Sequence, residues 1–271
     1  MRFLMITSQC ATLWPVAQWY VERMSDGSDE PWGVFALLTA FIVVIREERR
    51  TRISKPALLL STLWMVVYAF SLNRIPPLAS AACAMLALGC SLSGFWMGRI
   101  SLSLFGLLLL SLPLIASLQF YIGYPLRALT AQLVAQILGL CGIVVQAKGT
   151  SLEWLREIIS VDAPCSGIRM LWTGLYLTFS LASFSRLGNR TTWLSYLASS
   201  VIIFSGNVTR ATILFLTESG MLRLPWDLHD GIGLFVFGIV AVVILHTHRS
   251  LLRRERERMS TLGGAVAKRG S

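Results

Sequence analysis

The sequence predicts an all-α fold: a polytopic integral membrane helical bundle of about eight transmembrane helices, with one amphipathic helix on the outer side. Three observations carry this. Hydrophobic residues make up 55% of the chain and charged residues only 14%. A soluble domain carries about 25% charged residues, so this chain has too few polar side chains to cover a globule. Several apolar runs approach the roughly 20 residues that cross a bilayer. The basic residues gather in short segments between those runs and at the C-terminal end. No polar stretch is long enough to bury a core of its own, so residues 1–248 read as a single membrane domain and 249–271 as a basic cytoplasmic tail.

The first apolar stretch covers 3–20, after Arg2, and carries Gln9 and Gln18. The run 32–45 follows, closed by Arg46, Arg49, Arg50, Arg52 and Lys55. Next comes 57–72, ended by Asn73-Arg74 and Pro76-Pro77. Residues 78–98 hold no charge, and a tight hairpin at Arg99 joins them to the span 100–118. Within 121–147, Leu126, Leu129, Leu133, Ile137 and Leu140 recur at helical steps, while Gln132, Gln136 and Gln146 fall off that stripe. This predicts an amphipathic helix lying on the membrane or against the bundle. The last three spans are 166–185, 193–216 and 231–247. Gly94-Phe95-Trp96-Met97-Gly98 has the small-x-x-x-small form of a packing contact.

The excess of Lys and Arg on the inner side of membrane proteins sets the orientation. It assigns the Arg46–Lys55 loop, Arg99, the Arg186/Arg190 loop and the tail to the inside. The Asp26–Glu30 loop, the Asn73–Pro77 turn, the 119–164 segment and the 217–230 loop then lie outside, and the alternation closes only if 121–147 does not cross. The net charge of +10 follows from this topology rather than from nucleic-acid binding. There is no Cys-x-x-Cys pair and no zinc-finger spacing, so no cofactor or metal is expected.

Cys10, Cys83, Cys90 and Cys141 lie in or beside apolar runs and read as small hydrophobes. Cys165 differs. It stands in Val161-Asp162-Ala163-Pro164-Cys165-Ser166-Gly167, at the mouth of a span. In the derived topology Cys165 lies at the outer end of 166–185. Arg210 lies about 9 Å below the outer end of 193–216 at 1.5 Å per residue, and His229 just before 231–247. A thiol, a guanidinium and an imidazole at one depth are the parts of a cysteine acyl-transfer site.

Each residue also has a plainer reading. Arg210 is an intramembrane charge, which points to function, or a side chain snorkelling to the outer headgroups. Asn207, one turn away on the same side, favours a polar pocket. Arg169 follows Cys165 by four residues and would share its helical face, favouring the thiolate, or it is an outer-leaflet anchor. Pro164 suits a helix first turn, which would bring Cys165 near the positive helix end. Gly167 permits a close approach or a strained helix entry. Ser166 ranks second as nucleophile, lacking the intrinsic reactivity of a thiol. His229 is a general acid–base candidate, or an inert interfacial histidine. His246 and His248, beside the basic tail, read as interface residues.

The ordered series Pro125-Leu126-Arg127, Gly149-Thr150, Ala163-Pro164-Cys165-Ser166-Gly167-Ile168-Arg169, Asn207-x-x-Arg210 and His229-x-x-x-Gly233 resembles the exosortase/archaeosortase family over about residues 30–248. The resemblance implies a multi-pass cysteine transpeptidase of the cytoplasmic (inner) membrane whose active site faces the periplasm or exterior, with Cys165, Arg210 and His229 catalytic. It implies partners that carry a C-terminal sorting signal made of a short motif, one membrane helix and a basic end. It also implies an exopolysaccharide or lipid acceptor, and no nucleic acid. Pro164 departs from the family's pattern. The rival reading is a membrane subunit or transporter of an exopolysaccharide or anionic-solute export system, with Arg169 and Arg210 lining a path. The absence of an internal repeat and the confinement of intramembrane charge to the outer half count against it.

Overall fold

The computed structural model describes residues 2–25, 31–47, 53–155, 157–160, 166–222 and 228–269. The chain forms helices α1 (Arg2–Thr12), α2 (Trp14–Ser25), α3 (Gly33–Arg46), α4 (Lys55–Ser71), α5 (Pro77–Leu92), α6 (Leu102–Leu110), α7 (Ile115–Leu140), α8 (Ile168–Phe184), α9 (Asn189–Glu218) and α10 (Leu228–Arg269). One π-helical turn, Ser93–Met97, extends α5, and strands β1 (Gln146–Lys148), β2 (Ser151–Trp154) and β3 (Glu157–Ser160) lie between α7 and α8. The fold is that of a helical membrane protein. Two compact units make it up, one of residues 1–116, 179–194 and 251–271, the other of residues 117–178 and 195–250. Helix α10 runs through position 248 without interruption, and the basic tail continues it.

The expected count of eight spans needs correction. Among the described residues three helices are long and apolar enough to cross a membrane, Pro77–Met97, Asn189–Glu218 and Gly231–Thr261, or four if α6 and α7 form one broken span. The causes are local. The run 3–20 divides at Leu13 into α1 and α2. Helices α3 and α4 are apolar but have 14 and 17 residues, about 21 and 26 Å against a hydrocarbon core of about 30 Å. The run 100–118 breaks between α6 and α7, where Pro113 has no amide hydrogen to continue the ladder. Helix α8 has 17 residues. The 26–30 loop, expected outside, and the whole basic 48–52 stretch lie outside the described residues.

In the first unit, α4 and α5 pack side by side. Ser61 Oγ donates to the Ala87 carbonyl at 2.9 Å and pairs with Ser91 Oγ at 2.7 Å, so buried hydroxyls join two apolar helices. Gly94 brings the π-turn against Ala57 and Leu58, an intramolecular use of the small-residue motif. At one end of this unit four segments meet. Arg186 Nε pairs with Glu47 at 3.2 Å, and Nη2 of Arg186 donates to the Arg46 carbonyl at 3.5 Å. Arg99 Nη2 donates to the Arg186 carbonyl at 3.4 Å, and Glu255 accepts from the Gly188 amide at 3.0 Å. These are the segments that the charge bias assigns together to the inner face.

In the second unit, α7 takes the place of the predicted 121–147 helix with different limits. It buries Gly123, Thr130, Ala131, Val134 and Leu138. Of the leucine stripe, Leu129 and Ile137 are exposed and Leu140 is 91% exposed, while Leu126 and Leu133 are half-buried and Leu133 packs against the core. Between membrane helices, close packing favours small residues, and large apolar ones are free to face lipid.

The three-stranded sheet is the element absent from the all-α expectation. It is an antiparallel meander in the order β1-β2-β3. The loop Gly149-Thr150 joins Lys148 to its partner Ser151, with Gly149 at φ +61, the glycine that tight two-residue hairpins favour. Ala147, Leu152 and Ile159 are cross-strand partners in one row. That row packs with Ala131, Val134 and Leu138 of α7 and Val208, Ala211 and Phe215 of α9. Leu152 is 1% exposed, and Trp154 meets Phe215 edge-on at 6.3 Å. The sheet is thus seated on α7 and α9, and β3 ends five residues before Cys165 in the chain.

Candidate active site

The second unit gathers most of the residues that the sequence singles out. Helix α8 starts at Ile168, and the Leu171 amide donates to the Gly167 carbonyl at 2.7 Å, which makes Gly167 the N-cap. Gly167 has φ +78, a conformation that costs an L-residue about 1–3 kcal/mol. A Cβ on Gly167 would also lie 2.6 Å from Asn207 Cγ, 2.8 Å from Nδ2 and 2.9 Å from Oδ1. Glycine therefore serves both the turn and the contact with α9.

Asn207 is 2% exposed. Its Nδ2 donates to Thr130 Oγ1 on α7 at 3.4 Å, and Thr130 is fully buried. One carboxamide therefore links α9 to α7 and lies on the entry to α8. One turn further along α9, part-buried Arg210 lies over Gly233 of α10. A Cβ at Gly233 would be 3.2 Å from Nε, 3.4 Å from Cζ and 3.5 Å from Nη2. Gly233 follows His229 by four residues on the same helix, so the two share a face. Other small residues bring these helices together, with Gly174 of α8 against Ile203 and Gly206 of α9 against Val240 and Met170.

Ser166 is 4% exposed. Its Oγ donates to Gln119 Oε1 at 2.8 Å and accepts from the Ile168 amide at 3.5 Å. A carboxamide accepts a hydrogen bond but takes no proton at neutral pH, so this arrangement ties down the Ser166 hydroxyl without activating it. Cys165 lies outside the described residues. His229 is the second residue of α10, and its side chain lies outside the described set.

Helix α8 starts at Ile168 after the turn at Gly167, and Arg169 is exposed. Pro164, expected in the first turn of the helix, and Cys165, expected to share a face with Arg169, lie outside the described residues. Of the control residues, His246 is exposed but His248 is buried in the bundle, where an interface residue was expected. Cys90 is buried, Cys83 is half-buried, and Cys10 and Cys141 are exposed on the protein surface.

Sequence reasoning missed Gln119 and Thr130. Both are ordinary polar residues of α7 whose partners lie 47 and 77 positions away, and only their interruption of an apolar helix marks them.

A family model of transmembrane exosortases matches residues 19–246, a stretch that includes Cys165, Asn207, Arg210 and His229. No curated protein and no solved structure matches the chain.

Proposed function

The chain belongs to the transmembrane exosortase family, and on that membership and the geometry of its second unit we propose that it is a membrane-embedded cysteine transpeptidase. The Cys165 thiolate attacks the scissile carbonyl of a C-terminal sorting signal. The C–N bond breaks, the leaving amine takes a proton from the His229 imidazolium, and a thioester remains. A hydroxyl or amine of an exopolysaccharide or lipid acceptor then gives its proton to the imidazole and displaces the sulfur. Arg210 stabilises the oxyanion of both tetrahedral states. One such preorganised donor contributes about 3–4 kcal/mol.

The observation that supports this reading is a meeting of three helices within one turn of α9. Asn207 lies against Gly167, two residues from Cys165, and Arg210 lies against Gly233, one turn from His229. These two contacts, one at the entry to α8 and one on α10, both fall on the helix that carries the guanidinium. The enzyme sits in the cytoplasmic (inner) membrane with this site toward the exterior, and its substrates present a short motif, a membrane helix and a basic end.

Co-expression with an epitope-tagged protein bearing such a signal tests the proposal. Cys165→Ala should abolish processing at an unchanged membrane level. Replacement of Cys83, Cys90 and Cys141 together by Ala should preserve it. Processing at the wild-type rate by Cys165→Ala would exclude a thioester.

A further inference from the structure

We infer that Gln119 is a positioning residue of the thiol site: its carboxamide holds Ser166, and through Ser166 the peptide that carries Cys165. The inference rests on Cys165 being the nucleophile.

Two independent features support it. The first is the 2.8 Å hydrogen bond from Ser166 Oγ to Gln119 Oε1, made by a serine that is 4% exposed. A buried hydroxyl with one strong acceptor and one backbone donor has little freedom to rotate. The second is the space that receives Gln119. Its carboxamide lies forward along α7 at Gly123, where a Cβ would come within 3.1 Å of its Cδ and Nε2. A side chain at 123 would crowd the carboxamide out of this position.

The opposite side of the turn is closed by Asn207 on Gly167. The peptide that follows Cys165 is therefore gripped by α7 through Gln119 and by α9 through Asn207. A misplacement of about 1 Å at a reacting group can cost about 100-fold in rate, so loosening Ser166 and Gly167 should slow the reaction.

The test uses the full-length protein with Cys10, Cys83, Cys90 and Cys141 replaced by Ala, so that Cys165 is the one thiol. Two readouts are taken for Gln119→Ala, Gln119→Glu, Ser166→Ala and the Gln119→Ala/Ser166→Ala double variant. They are cleavage of the tagged substrate and the pH profile of Cys165 alkylation by a membrane-impermeant maleimide. Gln119→Ala and Ser166→Ala should each slow cleavage between about 10- and 100-fold. The double variant should be no slower than either single, because both break one bond. Gln119→Glu keeps an acceptor oxygen and should stay near the parent. The alkylation profile should move by the same amount in both single variants and the double, and not in Gln119→Glu.

An unchanged profile in Ser166→Ala, or losses that multiply in the double variant, would overturn the inference. The alkylation arm needs no substrate. If the parent cleaves nothing, the transpeptidase reading fails, while the profiles still decide whether Gln119 governs the thiol.

Discussion

Asn207 occupies the space where a side chain on Gly167 would stand. The carboxamide carbon lies 2.6 Å from the position a Cβ would take. This contact joins the start of α8 to the middle of α9, and it makes a glycine obligatory for reasons both of backbone and of room.

Gly167→Ala should therefore be among the most damaging small substitutions. The positive φ alone costs about 1–3 kcal/mol, and the methyl group would also push Asn207 from its place. Substrate processing should fall at least about 10-fold. Gly238→Ala serves as the control, since a Cβ there meets nothing within 4 Å and gains about 0.5–1 kcal/mol of helix stability. Equal processing by the two variants would refute the clamp.

Arg210→Lys separates charge from geometry. Both residues snorkel, but Lys lacks the planar fork that donates two parallel hydrogen bonds. If Arg210 binds the oxyanion, cleavage normalised to membrane level should drop between about 100- and 1,000-fold. Near-normal cleavage by the Lys variant would remove Arg210 from the site.

Gly233 tests the same guanidinium from the other side. A Cβ there stands 3.2 Å from Arg210 Nε, close enough to require a small shift. Gly233→Ala should slow processing modestly, and Gly233→Leu should approach the defect of Arg210→Ala while inserting normally. A fully active Gly233→Leu would show that the guanidinium's place on α10 does not matter.

Leu152→Ala addresses the sheet. Leu152 is 1% exposed in the core shared with α7 and α9, and removing such a side chain costs about 2–5 kcal/mol. The expected result in detergent is a lowered melting midpoint and earlier proteolysis between Gln146 and Ser160. An unchanged midpoint would mean that the sheet is not seated on the helices.

Reporter fusions check the topology. Fusions after Arg190 and after Gly149 should give opposite signals. Identical signals would contradict the assignment of the Arg186/Arg190 loop and the 119–164 segment to opposite membrane faces.

The membrane class was legible because apolar content and clustered arginines report directly on solvent. The Asn207–Gly167 contact was half legible. The sequence places an Asn and an Arg one turn apart in one span and a Gly at the mouth of another, but not the contact between them. Helix number was less legible, since a break such as that at Leu13 or beside Pro113 leaves hydropathy almost unchanged. The leucine stripe of α7 was legible, but its packed side was not, because the small and polar residues Gly123, Thr130 and Ala131 mark it. The sheet was hidden by its three- and four-residue strands, too short for alternation to register, although Leu152 and Trp154 do alternate with Ser151 and Glu153. Gln119 had only one local signal, a polar residue in an apolar helix, because its role depends on a distant serine.

Helix α10 has 42 residues, and the apolar slab of a bilayer is about 30 Å thick. From His229 to Arg249, the first arginine of the tail, the rise is about 30 Å. In the orientation proposed above, with the arginines kept in water at one surface, the same helix would set the height of His229 at the other. The helix is a gauge: inserting or deleting one residue between the two would move the imidazole by about 1.5 Å and swing it by about 100° around the axis.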